Sequence, residues 1–569
     1  MAKEYPDVKP EDINEDLGVV NNLESKFQAA KDARKSVVTR WRRNEELYMG
    51  KILKPFNLPK YKTRIEPNIV HSVIETMQSI LTDRAPKVDV MPKREEQMGA
   101  AYQAQDVVDN FMQEKKFQRA VAYMKRDGLI YGNGFIKPCI IDGEIEFLVP
   151  DVFTVFVDPL ATSVENAKCV IFATPTYVKD IEEKYGKKVA SEGKMNDYRS
   201  FIKVEESYAT DKVPEIGTEG PSEDKDDTDY RGGMAILKEA FYYEGGVLYM
   251  ATWAGKTLLQ RVESPYPFIP LVTFKNYSSA HTFFGKGEPE IIESLAVGAS
   301  ISLSQGMDNL IYHGNPAMVM SKSLAKMSGN RPTDKPGQIF YTNGPHERID
   351  RIPAGNISSS TLPMAESMIQ MADQVSGVHE VSRGVISGSV TASRAISQIQ
   401  EASQQIIRAK EREIGTDAII DLYKMTLNLL ANNYSKVIEI RKSADDGSGY
   451  MFLKVNPYDL DPDMDYKYVP GSSMPESRSN RMDQASQLLQ MGLLDEEGFW
   501  RWTQTDITKE KLDQIAQMRA ARDQQIEQEV ATISQSTNED EIMEALLRYR
   551  QLTGAAGFQG GGGEQEPQP

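Results

Sequence analysis

The tripeptide Gly255-Lys256-Thr257, within YMATWAGKTLLQR, has the residue types that end a phosphate-binding loop. In such a loop successive backbone N–H groups curl round the phosphates, the lysine neutralises charge and the hydroxyl reaches Mg²⁺. That geometry needs a glycine where this chain has Met250, and Gly245 and Gly246 come too early. The surrounding EAFYYEGGVLYMATWAGKTLLQR reads as strand, Gly-Gly turn, strand, Ala-Gly turn, strand. The tripeptide is therefore expected to be a hairpin turn.

Other candidates for chemistry fare no better. Asp459, Asp461, Asp463 and Asp465 alternate like the start of a calcium loop, but the obligatory glycine is missing. Pro462 interrupts the run and Pro470 stands at the twelfth position, so a solvated turn is expected. His71, His281, His313, His346 and His379 lie far apart, with no ligand-spaced pair. Cys139 and Cys169 sit in the apolar runs IKPCII and AKCVIF, the setting of buried core thiols in a reducing compartment. The basic run KSVVTRWRR, residues 35–43, fits nucleic-acid contact or a charged helix face over a core edge, and the second reading is preferred. No G-x-S-x-G elbow is present. No catalytic residue, metal or cofactor is assigned, and the chain is not expected to be an enzyme.

The composition sets the frame for these residues. The chain has 569 residues, 40% apolar and 26% charged, as for a folded multidomain protein. Lys and Arg total 66 against 83 Asp and Glu, a formal net charge of −17. A protein that grips DNA through phosphate neutralisation leans the other way. The polar, acidic start MAKEYPDVKPEDINEDL is not expected to be a signal peptide, and no apolar run has the length of a membrane span. The expected setting is cytosolic.

The spacing predicts a helix over 18–50 with Gly50 as its cap, one carrying Ile69, Val73, Met77 and Ile80 on one face, and a third over about 96–130. A Gly-rich turn, GLIYGNGFIKP, then leads into strands, and the acidic stretch EIGTEGPSEDKDDTDYRGG is a loop or disordered insertion. From Gly287 a helix carries Ile291, Leu295, Ala299, Leu303, Met307 and Leu310 on one face, with Ala296, Gly298, Ser300, Ser302, Ser304 and Gly306 keeping the rest small. After a Gly/Pro-rich excursion a second helix aligns Met364, Met368, Met371, Val375 and Val378. A long helix over Ala392 to Ser435 spans on the order of 60 Å, with Gly415 as a place to bend. From Arg481 to Gly554 the pattern is helical, and the Gly-rich end is expected to be disordered.

The segments PNIVHSVIETMQSILTDRAPKVDVMP, RDGLIYGNGFIKP, VPDVFTVFVDPLATSVENAKCVI, FFGKGEPEIIESLAVGASISLSQGMDNLIYHGNP and VPGSSMPESRSNRMDQASQLLQMGLLD, in that order, resemble those of tailed-bacteriophage portal proteins. The resemblance implies an α+β portal-type fold that assembles as a ring, usually a dodecamer. It places a wing at 1–286, a first stem helix at 287–313, a clip at 314–360 and a second stem helix at 361–378. A tunnel loop at 379–393, the rest of the wing at 394–480, a helical crown at 481–554 and a disordered tail at 555–569 complete it. It further implies a virion component, assembled in the host cytoplasm, at the capsid vertex through which the terminase motor packages DNA. Partners implied are the terminase, tail adaptors, major capsid and scaffolding proteins, and double-stranded DNA passing without tight binding; no membrane is involved. Arg383, Ser387, Ser389 and Arg394 fall at the tunnel loop. Lys322, Lys326, Arg331, Lys335, Arg348 and Arg351 form a basic clip surface for motor and adaptor. Gly298 and Gly306 are expected to pack stem helices of neighbouring copies. The alternatives are a tail adaptor or scaffold, or a packaging enzyme, which lacks support in any motif.

Overall fold

The computed structural model describes residues 10–59, 61–191, 233–314, 318–319, 326, 350–351, 360–378, 405–443, 450–470, 472, 485–489, 491, 524, 528 and 530–531. Two compact units divide the chain, Met1–Pro475 and Glu476–Pro569. Most of the second unit, and with it most of the segment expected as crown, lies outside the described residues.

In the first unit come α1 (Pro10–Ala33), α2 (Lys35–Tyr48), α3 (Ile69–Leu81), β1 (Val88–Met91), α4 (Met98–Met112) and α5 (Lys115–Tyr131). Strands β2 (Asn133–Ile141), β3 (Glu144–Leu148), β4 (Val155–Val157) and β5 (Cys169–Tyr177) follow, then α6 (Val178–Tyr185). Next are β6 (Met234–Glu244), β7 (Val247–Ala254), β8 (Thr257–Glu263), β9 (Val272–Lys275), β10 (Tyr277–Ser279) and β11 (Thr282–Lys286). The long α7 (Glu288–Gly314), the short strands β12 (Met318–Val319) and β13 (Asp350–Arg351), and α8 (Thr361–Ser376) come after them. The last stretch holds α9 (Gln405–Glu413), a π-helical turn (Ile414–Ile419), α10 (Ile420–Asn433), β14 (Ile438–Ser443), β15 (Tyr450–Val455) and β16 (Asp465–Tyr468). The class is α+β.

Strands β4 to β8 form one antiparallel sheet in sequence order. Gly245 and Gly246, with φ of 60° and 88°, turn β6 into β7, and Gly255, with φ of 56°, turns β7 into β8 so that Ala254 pairs with Thr257. Gly255 and Lys256 are thus a two-residue hairpin turn and Thr257 opens β8. Period-two alternation gives the sheet two apolar faces. Cys169, Ile171, Ala173, Ala240 and Trp253 meet Val20, Leu23 and Phe27 of α1, while Val170, Phe172 and Phe241 face Trp41, Phe135 and Phe153. Both cysteines are buried and free, and burial raises their thiols to about 11 at Cys139 and about 12 at Cys169.

The helix expected over 18–50 is two helices. Between them Arg34 turns inward, its guanidinium donating to the carbonyls of Phe153 and Val155 and lying 3.5 Å from the Phe156 ring centroid. The expected 96–130 helix is also two, with Glu114 in an extended conformation ahead of α5. The larger core gathers α3, α4, α5, the first half of α7, α9, α10 and β14 to β16. Ile69, Val73, Met77 and Ile80 are all buried there, as their spacing predicts. β2 changes partner midway: residues 133–136 pair with β9, and 137–141 pair with β3. β1 pairs with β16, so the strand after α3 finds its partner near residue 468.

The glycines of GLIYGNG make this packing possible. A Cβ on Gly134 falls 1.8 Å from the Met124 carbonyl oxygen, and one on Gly128 falls 2.1 Å from the Phe274 ring. Gly18, in α1, has nothing within 4 Å. Gly134→Ala is expected to lower stability by at least about 2 kcal/mol, whereas Gly18→Ala raises it by up to about 1 kcal/mol. Urea unfolding of the two variants checks both signs.

Candidate functional site: the α7–α8 helical pair and its seat

α7 opens with Glu288 and Glu290 in its first turn, where the helix dipole favours negative charge. α2 supplies partners for this end. Arg40 pairs with Glu290 at 3.2 Å, Arg43 with Glu293 at 2.7 Å, and Asn44 Nδ2 donates to Glu290 at 3.1 Å. The basic run 35–43 therefore spends two of its arginines inside the chain, and its Trp41 is fully buried against Tyr131, Phe153 and Phe284.

Further along, the segment before α3 lies as a strap on α7. The Thr63 backbone N–H donates to Asp308 Oδ1 at 2.8 Å, the Ile65 N–H donates to Ser304 Oγ at 3.0 Å, and Lys62 pairs with Asp308 at 3.3 Å. Ser300 and Ser304 also donate back to the carbonyls of Ala296 and Ser300. Small polar residues on α7 thus receive a backbone directly. Lys62 is held above its ordinary range by Asp308.

Gly298 and Gly306 both face α8 of the same chain. A Cβ on Gly298 comes within 2.6 Å of Met368 Sδ, and one on Gly306 sits at an ordinary 3.7 Å from Leu362. The inward side of α7 is Ile292, Ala296, Ala299, Ser300, Ser304 and Asp308, and that of α8 is Ala365, Ala372, Asp373 and Ser376. Of the apolar faces read from sequence, only Ala299 and Val378 are buried; Met307, Leu310, Met364, Met371 and Val375 are exposed. The small residues bring the two helices together, so the large ones are displaced outward. Leu362, Ile311 and Tyr312 extend that exposed apolar band, with Leu310 at 68% exposure.

Of the residues expected to form a basic clip surface, Lys326 is exposed in helical conformation and Arg351 stands in β13 opposite Met318. Lys322, Arg331, Lys335 and Arg348 lie outside the described residues, as do Arg383, Ser387, Ser389 and Arg394, expected at a tunnel loop. The Asp459–Asp465 run is met by a cation from the chain itself: Lys93 lies 2.5 Å from Asp463 and 4.0 Å from Asp465, and Gln97 donates to Asp461 at 2.6 Å. Among the described residues no group of three or more His, Cys, Asp or Glu is placed to hold a metal ion. Among them, too, no helix is long and apolar enough to cross a membrane.

Sequence reading missed the bonds that seat α7. Arg40, Arg43, Asp308 and the strap carry no local motif, because their partners stand about 240 to 250 positions away. A second missed feature is Asp127 on α5, whose carboxyl is raised to about 7 by burial and then by the nearby Asp151, with Arg126 opposing. A carboxylate with a raised folded-state value favours folding most at low pH, and that favour is lost as pH climbs from about 4 through 7. Asp127→Asn is expected to be more stable than the parent at pH 8 and equal to it near pH 4, read by urea unfolding across that range.

Gly298→Leu forces Met368 aside within one subunit, and is expected to cost about 1–3 kcal/mol of subunit stability. Met368→Ala in the same chain should recover much of that loss in thermal unfolding, because the clash is with a flexible side-chain end.

No curated protein matches the chain. The family described as phage SU10 portal protein matches residues 141–541, which takes in the five-stranded sheet from β4 onward, the α7–α8 pair and α9 to β16. With more than two thirds of its length matched, this α+β chain belongs to the family of phage portal proteins.

Proposed function

We propose that this chain is the subunit of a portal ring, usually a dodecamer, at one capsid vertex. DNA is packaged through the ring by the terminase motor, retained, and later ejected, and tail adaptors attach to it. The observation that carries the ring is the exposed apolar band of α7 and α8: Met307, Leu310, Ile311, Leu362, Met364, Met371 and Val375. Large apolar side chains left exposed together on one helical pair suit a protein contact, and a ring closes through head-to-tail contacts between copies. In this reading 287–313 and 361–378 are the stem, 314–360 the clip, 379–393 the tunnel loop, and 1–286 with 394–480 the wing.

The charge supports a conduit. A subunit of net charge −17, repeated round a ring, repels the DNA backbone and so avoids the salt-sensitive grip that would stall sliding. Arg383 and Arg394 then touch phosphate in passing, with Ser387 and Ser389 at the constriction between them. Lys322, Lys326, Arg331, Lys335, Arg348 and Arg351 offer a basic surface to the motor and adaptor. The motor, and not this chain, carries the ATPase.

Electron microscopy of the purified full chain tests the proposal, with rings around a central channel expected. Leu310→Glu and Met364→Glu should abolish rings while subunit stability stays within about 0.5 kcal/mol, as for exposed positions. Images without channelled rings favour the adaptor or scaffold reading, and ATP hydrolysis by the pure chain favours the enzyme. Either result overturns the proposal.

A further inference from the structure

α9 presents two adjacent buried charges to opposite surroundings. Lys410, 4% exposed, reaches Glu288 at the start of α7, donates to Asn276 Oδ1 at 2.9 Å and lies 3.7 Å from the Tyr277 ring centroid. Glu288 has no exposure, and also accepts from Asn276 at 2.9 Å and from Tyr277 at 3.3 Å. The next residue, Glu411, is 2% exposed and accepts from the Tyr468 hydroxyl of β16, while burial lowers the Lys125 ammonium of α5 to about 8 with the charge of Glu411 opposing. Lys125 donates to the Leu81 carbonyl at 2.5 Å. One helix therefore seats Lys410 against the carboxylate of Glu288 and Glu411 against the Tyr468 hydroxyl, within the field of Lys125.

Immediately after this doublet the helix makes its π turn, Ile414–Ile419. A π turn holds one residue more than an α turn over the same path and is the less stable form. Its simplest relaxation draws that extra residue out, which slides α9 by one position, about 1.5 Å, and rotates it by about 100°. Glu411 then occupies the place of Lys410, facing Glu288. Arg412, exposed in the present register, occupies the place of Glu411, at the Tyr468 hydroxyl and within the field of Lys125. Both encounters are between like charges in a buried setting, where they are most costly.

We propose that the Lys410-Glu411 doublet is a register key: it holds the π turn in place by making the one-residue slip of α9 electrostatically forbidden on both sides. Single buried polar groups that fix register are known to trade stability for a unique arrangement, and here two of opposite sign act together. Gly415 adds a steric part, since a Cβ there falls 2.2 Å from the Tyr468 ring.

Deleting Thr416, an exposed residue of the turn, from the full chain tests the key. The turn must then become α-helical, and the key requires Lys410 and Glu411 to keep their seats. Spin labels at Gln405 and Tyr102, both exposed, report α9 against α4, with labelled chain diluted in unlabelled chain. The expected result is a folded chain with the distance of the parent. A displaced label, or a chain that no longer folds, overturns the proposal. A second arm carries Glu288→Lys, Lys410→Glu and Arg412→Glu, so that both registers place opposite charges together. Two distance populations are expected there, and one population at the parent distance overturns the key.

Discussion

Glu288 stands at the first position of α7 with no exposure to water, and its charge is tolerable only while each of its partners stays in place. They come from separate segments: Lys410 from α9, and Asn276 and Tyr277 from the approach to β10 and β10 itself. A buried pair of this kind contributes little net stability against an apolar alternative, yet losing one member costs about 3–5 kcal/mol. Its physical effect is to tie two segments, α9 and the entry to β10, to the start of the longest described helix. The ion pairs from α2 and the strap on Asp308 extend the same tie along α7, leaving its apolar residues free for the outside.

How much of this could be read from the sequence follows from how far apart the partners are. The hairpin turn at Gly255 and the buried face of α3 rest on local spacing and on glycine, and both were legible; at Gly415, where a bend was expected, the helix makes its π turn. The break at Arg34 was not, since neither glycine nor proline marks it and its cause is three carbonyls about 120 positions away. The β1–β16 pairing was equally hidden. The apolar spacing of α7 and α8 was legible, but its direction was not. Small residues can face either a neighbouring helix of the same chain or another copy, and only the packing of Gly298 against Met368 shows which is the nearer contact. Lys410 and Glu411 carry no local signal, since their partners, Glu288 and the Tyr468 hydroxyl, come from distant segments.

The acidic balance of the chain and its internal cations belong together. Arg34, Arg40, Arg43, Lys62, Lys93 and Lys410 are engaged with acceptors inside the first unit. Cations consumed in this way hold the fold and leave the surplus of carboxylates to set the long-range field. The same residues that look, one by one, like contacts for a polyanion thus serve the opposite electrostatic purpose.

The pairing of β1 with β16 also has a consequence in time. A ribosome adding 5–20 residues per second needs roughly 20 to 75 s to pass from the first of these strands to the second. Throughout that interval α3 and α4 lack the strand, the helix and the two tyrosines that complete their core, since Tyr423 and Tyr468 arrive only near its end. The outward apolar residues of α7 and α8 are synthesised well before then, but the helices that must hold them in position are not yet locked. In the proposed ring, contact between copies through this surface waits until β16 has been made, so a nascent chain offers its neighbour no finished surface before then.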